Sequence, residues 1–192
     1  MKHRHKQQAE FRHFHWIIVI SLLSCLGSQC LATNRPRISP DADSFSTEGV
    51  PKLIGRVNDY AGLLTSHQIE ELSRISADLE KETGAQMVIL VVPTTAPYSI
   101  EEYSLRVMNG WGIGRKEYND GSAIVLAVKD RSARIELGYG TNRFFTDDMA
   151  RTIMQEYMIP RFRNVQYYEG LRAGATEMAQ TIRQHTPESW RP

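Results

Sequence analysis

Two short apolar runs constrain this chain more than any other feature. They are QMVILVV at 86–92 and AIVLAV at 123–128. Both are nearly unbroken and rich in β-branched residues, which fits strands covered on both faces rather than strands with a wet side. Such strands need a layer of other structure above and below them, and helical patterns flank both runs. Thr65 and Gln68 form a Thr-x-x-Gln capping box, and Ile69, Leu72, Ile75 and Leu79 recur behind it at helical spacing until Gly84. Ser99 and Glu102 cap a second helix, with Tyr103, Val107, Met108 and Trp111 on one side and Gly110, Gly112 and Gly114 at its end. After the second run, KDRS at 129–132 reads as a tight turn. ARIEL at 133–137 alternates apolar and charged, as a strand with one wetter face does, so these two strands form an antiparallel hairpin. Thr146 caps a third helix with Met149, Ile153, Met154 and Tyr157 inward, and Pro160 follows it. A last helix, roughly 167–184, carries Leu171, Ala175, Met178, Ala179 and Ile182. Helices before and after buried strands must lie on both faces of one small mixed sheet, so the expectation is an α/β chain folded as a three-layer α/β/α sandwich.

The N-terminus reads differently. Lys2, Arg4, Lys6 and Arg12 precede an apolar stretch from Trp16 to Leu26, and Cys30-Leu31-Ala32 places small side chains where a signal peptidase needs them. That is a signal peptide over 1–32, with cleavage near Ala32 and an exported, periplasmic or secreted mature protein. An uncleaved membrane anchor and a lipoprotein modified at Cys25 are the other readings of the same segment. Residues 33–52 are polar, contain Pro and Ser and lack periodicity, so they read as a flexible linker. The folded domain is expected over 53–186, with order starting near Leu53 and a tail at 187–192. No mature segment is apolar enough to span a bilayer.

Removing residues 1–32 takes four of the 23 Lys and Arg and one of the 22 Asp and Glu, and leaves a formal charge of −2. That balance excludes a nucleic-acid partner, which needs a basic face. Cys25 and Cys30 both lie in the leader, so the mature chain has no disulfide, thiol nucleophile or Cys-based zinc site. Only His67 and His185 remain of six histidines, too few for a multi-His metal centre. Any chemistry falls to carboxylates, Tyr, Lys, Arg and backbone groups. GWGIG at 110–114 follows a helix rather than a strand and so lacks the setting of a dinucleotide loop.

The candidate chemistry is acidic. Asp59 lies in a turn before the first helix, Asp120 in NDG at 119–121, and Asp147 and Asp148 follow the capping Thr146. The hairpin brings Asp120 beside the GYG at 138–140, whose glycines let carbonyls approach a ligand. Carboxylates and carbonyls together suit Ca²⁺ or Mg²⁺, and the expected ligands are Asp59, Asp120, Gly138, Gly140, Asp147 and Asp148. Each also has a structural reading. Asp147 and Asp148 sit where a helix dipole favours negative charge, worth about 0.3–1 kcal/mol. Asp120 also fits a simple turn, and Asp59 a cap on its own turn. Trp111 and Tyr139 read as packing residues, His67 as solvated, and the Asp130-Arg131 pair as turn polarity.

VNDYAGLL at 57–64, WGIG at 111–114, NDG at 119–121, Asp130-Arg131 with RIELGYG at 134–140, Thr146-Asp147, and PRF at 160–162 with Tyr167, Tyr168 and Gly170 follow one another as they do in the TPM-domain family, which the chain resembles from about Val57 to Ile182. The resemblance implies the three-layer sandwich and an exported or lumenal location. It also implies kinship with proteins of photosystem II repair in the thylakoid lumen, with an auxiliary subunit of an acetylcholine receptor, with acid phosphatases, and with bacterial proteins that bind divalent cations through an acidic patch. Asp59, Asp120 and Asp147 match the family's acidic loops, whereas Asp148 falls where the motif varies. The usual Gly-Asp before the paired tyrosines is replaced by Asn164-Val165-Gln166. Many relatives continue into a membrane helix and a Gly-rich tail. This chain ends at Pro192, ten residues after Ile182, so a domain not tethered by its C-terminus is expected.

Three functions follow as expectations. The first is a divalent-cation-binding interaction module that helps maintain envelope or membrane-protein complexes. The second is a metal-assisted acid phosphatase, with Asp120 and Asp147 as candidate catalytic groups and Arg134 or Arg143 near the loops for phosphate. The third is a structural adaptor that uses the same loops without metal.

Overall fold

The computed structural model describes residues 49–192. The expected signal peptide, with Cys25, and most of the expected linker lie outside the described residues. Four strands form one sheet in the order β1-β2-β3-β4: β1 (Val57–Asp59), β2 (Gln86–Val92), β3 (Gly121–Ala127) and β4 (Ser132–Leu137). The first three are parallel and β4 is antiparallel to β3. The helices are α1 (Ser66–Thr83), α2 (Ile100–Trp111), α3 (Asp147–Ile153), α4 (Ile159–Arg163) and α5 (Tyr167–His185).

Side-chain alternation along β2 and β3 sorts the core into two layers. Met87, Ile89, Val91, Ile124 and Leu126 meet Leu72 and Leu79 of α1, Ala150 and Ile153 of α3, and Leu171, Met178 and Ile182 of α5. Val88, Leu90, Val92, Ala123, Val125 and Ala127 meet Tyr103, Val107 and Met108 of α2, with Val50 and Tyr60. The sandwich expected from the two apolar runs is therefore present, with α2, alone among the described helices, on one face. The steps β1→β2 and β2→β3 go the same way across the sheet, yet α1 and α2 lie on opposite faces. The two crossovers thus have opposite hands, and one departs from the usual right-handed rule.

The caps form as the sequence requires. Thr65 Oγ1 accepts from Gln68 N (3.3 Å), Gln68 Oε1 accepts from Thr65 N (2.9 Å), and Gly84 ends α1 at φ 77°. Ser99 caps α2 and Thr146 caps α3. Three expectations change. Order begins before Leu53: Val50 and Pro51 are buried, and Pro51 O accepts from Trp111 Nε1 at 2.7 Å. VND at 57–59 is a strand rather than a turn, too short for any periodicity to show. Pro160 does not end the third helix. The backbone passes through a π-helical turn at Met154–Met158 and continues into α4, with Pro160 in its first turn. The wider turn accommodates a residue that has no N–H to give. Among the described residues no helix is long and apolar enough to cross a membrane.

Candidate functional site

The sheet separates the expected carboxylates. Asp59 pairs with Val91 near the C-terminal end of β2, whereas Gly121, next to Asp120, pairs with Gln86 at its start. Those positions are five residues apart along the strand, about 16 Å at roughly 3.3 Å per residue. Asp59 is therefore at the opposite end of the sheet from Asp120, and the expected gathering of Asp59, Asp120 and Asp147 does not occur.

Each aspartate also has a local occupation. Asp59 accepts from Ala61 N (3.0 Å) and Leu64 N (2.7 Å), which fixes the turn into α1. Asp120 is 1% exposed and gripped by Arg115: the backbone N reaches Oδ1 at 2.7 Å, and Nε and Nη2 reach Oδ2 at 2.7 and 2.6 Å. Asp147 is exposed in the first turn of α3. The Asn142 amide, turned so that its NH₂ faces acceptors, reaches Asp147 Oδ1 at 3.3 Å. Asp148 pairs with Arg151 one turn on. The carbonyls of Gly138 and Gly140 accept from Asn142 N (2.9 Å) and Arg143 N (3.2 Å). Among the described residues no group of three or more His, Cys, Asp or Glu side chains is placed to hold a metal ion. The residues present do not fit a resident divalent cation.

The neighbouring of the two loops does hold, for a packing reason. A Cβ on Gly140 would lie 1.7 Å from Tyr118 O, and one on Gly138 would lie 2.5 Å from Asn119 O. The 138–140 backbone thus lies directly on the 118–119 backbone, where no side chain fits. Gly138 N bonds to Gly121 O (2.8 Å) and Gly140 N to Asn119 O (2.9 Å). Arg115 braces the same rim from below. Its guanidinium sits 4.3 Å over the Tyr118 ring, donates to Thr83 O (3.3 Å), and fills the space a Cβ on Gly84 would take.

An aromatic rim stands on this braced backbone. Tyr139 is 88% exposed, which corrects its reading as a packing residue. Trp190, from the segment read as a tail, stacks on Tyr118 (centroids 5.0 Å) and meets Phe144 edge-on (6.0 Å). Lys116, Asn119, Asn142, Arg143 and Asp147, close to these rings in the chain, are exposed. Tyr, Trp, Phe and Arg are the residues enriched in the buried centres of protein interfaces. Sequence reasoning missed Arg115, Tyr118 and Trp190. The one available sign was an aromatic between two glycines, which reads equally well as a turn.

Asp130, read as turn polarity, does more. Its Oδ2 accepts from Thr95 N (2.7 Å) and from the hydroxyls of Thr94 (3.1 Å) and Thr95 (3.3 Å), tying the hairpin turn to the β2–α2 loop. Partial desolvation pushes its carboxyl pKa up, and those bonds with nearby Lys129 outweigh that and hold it below its ordinary value. An open depression of about 300 Å³ lies beside it, lined by Thr95, Pro97, Tyr98, Ser99 and Ser132. Thr95 turns its N–H and its hydroxyl to Asp130 Oδ2, and the hydroxyl also lies 3.0 Å from Tyr98 O, so Thr95 is engaged within the protein. Arg134, a candidate phosphate ligand, is paired with Glu136 at 2.6 Å.

The family model for the TPM domain matches residues 57–181. The solution structure of the N-terminal domain of a P. gingivalis protein is similar to this chain, with TM-score 0.64 and 27% identity over 77% of this chain and 90% of that one. A protein from the psychrophilic bacterium Bizionia argentinensis (TM-score 0.57, 18% identity, 66% and 88% covered) shares the fold. So does the N-terminal domain of a Corynebacterium glutamicum protein (0.55, 14%, 68% and 82%). No curated protein matches the chain.

Proposed function

Because the chain belongs to the TPM-domain family, and a shared fold does not by itself assign a function, we propose a function from the rim alone: a protein-recognition module serving envelope or membrane-protein complexes. The observation that carries this reading is Tyr139, 88% exposed on a backbone that Gly138 and Gly140 press against Tyr118 and Asn119. A large aromatic held outward on an immobilised loop loses little freedom on binding, which is what an interface anchor needs. The contiguous rings of Tyr118, Trp190 and Phe144, on the backbone that Gly138 and Gly140 press against, add apolar surface, and exposed Arg143 and Asp147 add charge.

The test is site-specific photo-crosslinking in the cells that make the protein. A crosslinker in place of Tyr139 is expected to give a discrete adduct with a membrane-protein component. The same group in place of exposed Gln180 on α5 should not. Equal, diffuse labelling from both positions would overturn the reading.

The cation and phosphatase readings are decided separately by calorimetric titration of Ca²⁺ and Mg²⁺ and by aryl-phosphate hydrolysis. What weighs against both is that Asp120 is occupied by Arg115 and Arg134 by Glu136. Saturable heat at a one-to-one ratio would restore the cation. Hydrolysis lost in an Asp147→Asn variant of unchanged stability would restore the phosphatase.

A further inference from the structure

Among the described residues β4 is the edge of the sheet, with β3 on one side and no strand on the other. The hydrogen bond from Gly138 N to Gly121 O fixes which residues face inward. In an antiparallel ladder every second residue bonds the neighbour, so Glu136, Arg134 and Ser132 bond β3, in register with Ala123, Val125 and Ala127. Ala133, Ile135 and Leu137 then turn their N–H and C=O groups outward. Among the described residues those groups have no hydrogen-bond partner. Exposed rows of this kind are templates for another strand.

The sequence of the edge names the occupant. Within β4, ARIEL at 133–137 is centred on Ile135, with Arg134 on one side and Glu136 on the other. A second copy laid antiparallel about a two-fold axis at Ile135 sets Ile135 against Ile135, Ala133 against Leu137, and Arg134 against Glu136. The three outward residues meet the three outward residues of the copy, and each Arg134, already 2.6 Å from Glu136 of its own strand, also faces Glu136 of the copy, so the two pairs join into one four-charge network across the seam. A one-residue slip in register would lose both matches. A second feature lies on the same side. Along α2, Tyr103 packs with Tyr60 toward β1, and Ser104 Oγ donates to Glu136 on β4 at 2.8 Å. The next residue, about 100° further round the helix, is Leu105. It is therefore on the flank toward the free edge, and it is 51% exposed.

We infer that β4 pairs with β4 of a second copy of this chain, joining two sheets into one of eight strands, with Leu105 of each copy closing over the seam. The seam ends at Leu137, two residues before Tyr139, and the variants that test it, at Leu105, Arg134 and Glu136, leave every rim residue in place.

The test is sedimentation velocity on the purified chain as the cell processes it, with the circular dichroism melt as a control for folding. A reversible monomer–dimer equilibrium is expected. Arg134→Glu opposes like charges twice across the axis and should weaken the dimer about tenfold or more. The exchange Arg134→Glu with Glu136→Arg restores opposite pairs and should recover most of that loss. Leu105→Asp changes an exposed residue, leaves the melt unchanged and should also weaken association. A monomer at every concentration, a dimer indifferent to Arg134→Glu or Leu105→Asp, or no recovery in the exchanged variant overturns the pairing.

Discussion

Asp120→Asn separates a structural carboxylate from a metal ligand. The side chain is 1% exposed and takes one backbone and two guanidinium bonds from Arg115. In the variant, Oδ1 can still accept from Arg115 N. The amide NH₂ then faces Nε and Nη2, donor against donor. Removing one partner of a buried pair costs about 3–5 kcal/mol. Arg115 remains 25% exposed and can turn to water, so the lower end, about 3 kcal/mol, applies here. For a domain of this size that lowers Tm by about 10 °C. Thermal unfolding followed by near-ultraviolet circular dichroism, which senses Trp111 and Trp190, measures it. Added Ca²⁺ is expected to leave both proteins' Tm where it was. A variant within about 2 °C of the parent, or a parent stabilised by Ca²⁺ where the variant is not, would refute the argument and make Asp120 a ligand.

Two further outcomes follow from the packing. Tyr103 OH is buried without a hydrogen-bond partner, and burial, with Tyr60 nearby, pushes its pKa up to about 12. Tyr103→Phe should therefore be neutral or stabilising by about 1 kcal/mol in urea unfolding. Because the folded value is raised, the parent's contribution is present below the ordinary tyrosine range and lost as pH climbs from about 10 toward 12, a loss the Phe variant should lack. Gly140→Ala should fold poorly or melt far below the parent, since its Cβ would stand 1.7 Å from Tyr118 O, whereas Gly62→Ala, with nothing within 4 Å but φ 64°, should cost only about 1 kcal/mol in the same melt.

The layering and the helix ends were legible in the sequence because they rest on local rules. QMVILVV and AIVLAV demand cover on both faces whatever surrounds them, and Thr65, Ser99, Thr146 and Gly84 act on backbone groups within four residues. The hairpin brought the 119–121 loop beside 138–140 for a similar reason, since a four-residue turn leaves two strands little choice. Partners distant in the chain were not legible. Asp59 and Asp120 look alike in sequence. Only the direction of β1 beside β2 sends one to each end of the sheet. Arg115 is five residues from Asp120, and nothing in that spacing says that the chain will fold its guanidinium inward over Thr83, Gly84 and Tyr118. Tyr139 between two glycines has the same local preferences packed or exposed. The close approach of two backbones, a contact between residues twenty positions apart, decided that its ring points into solvent.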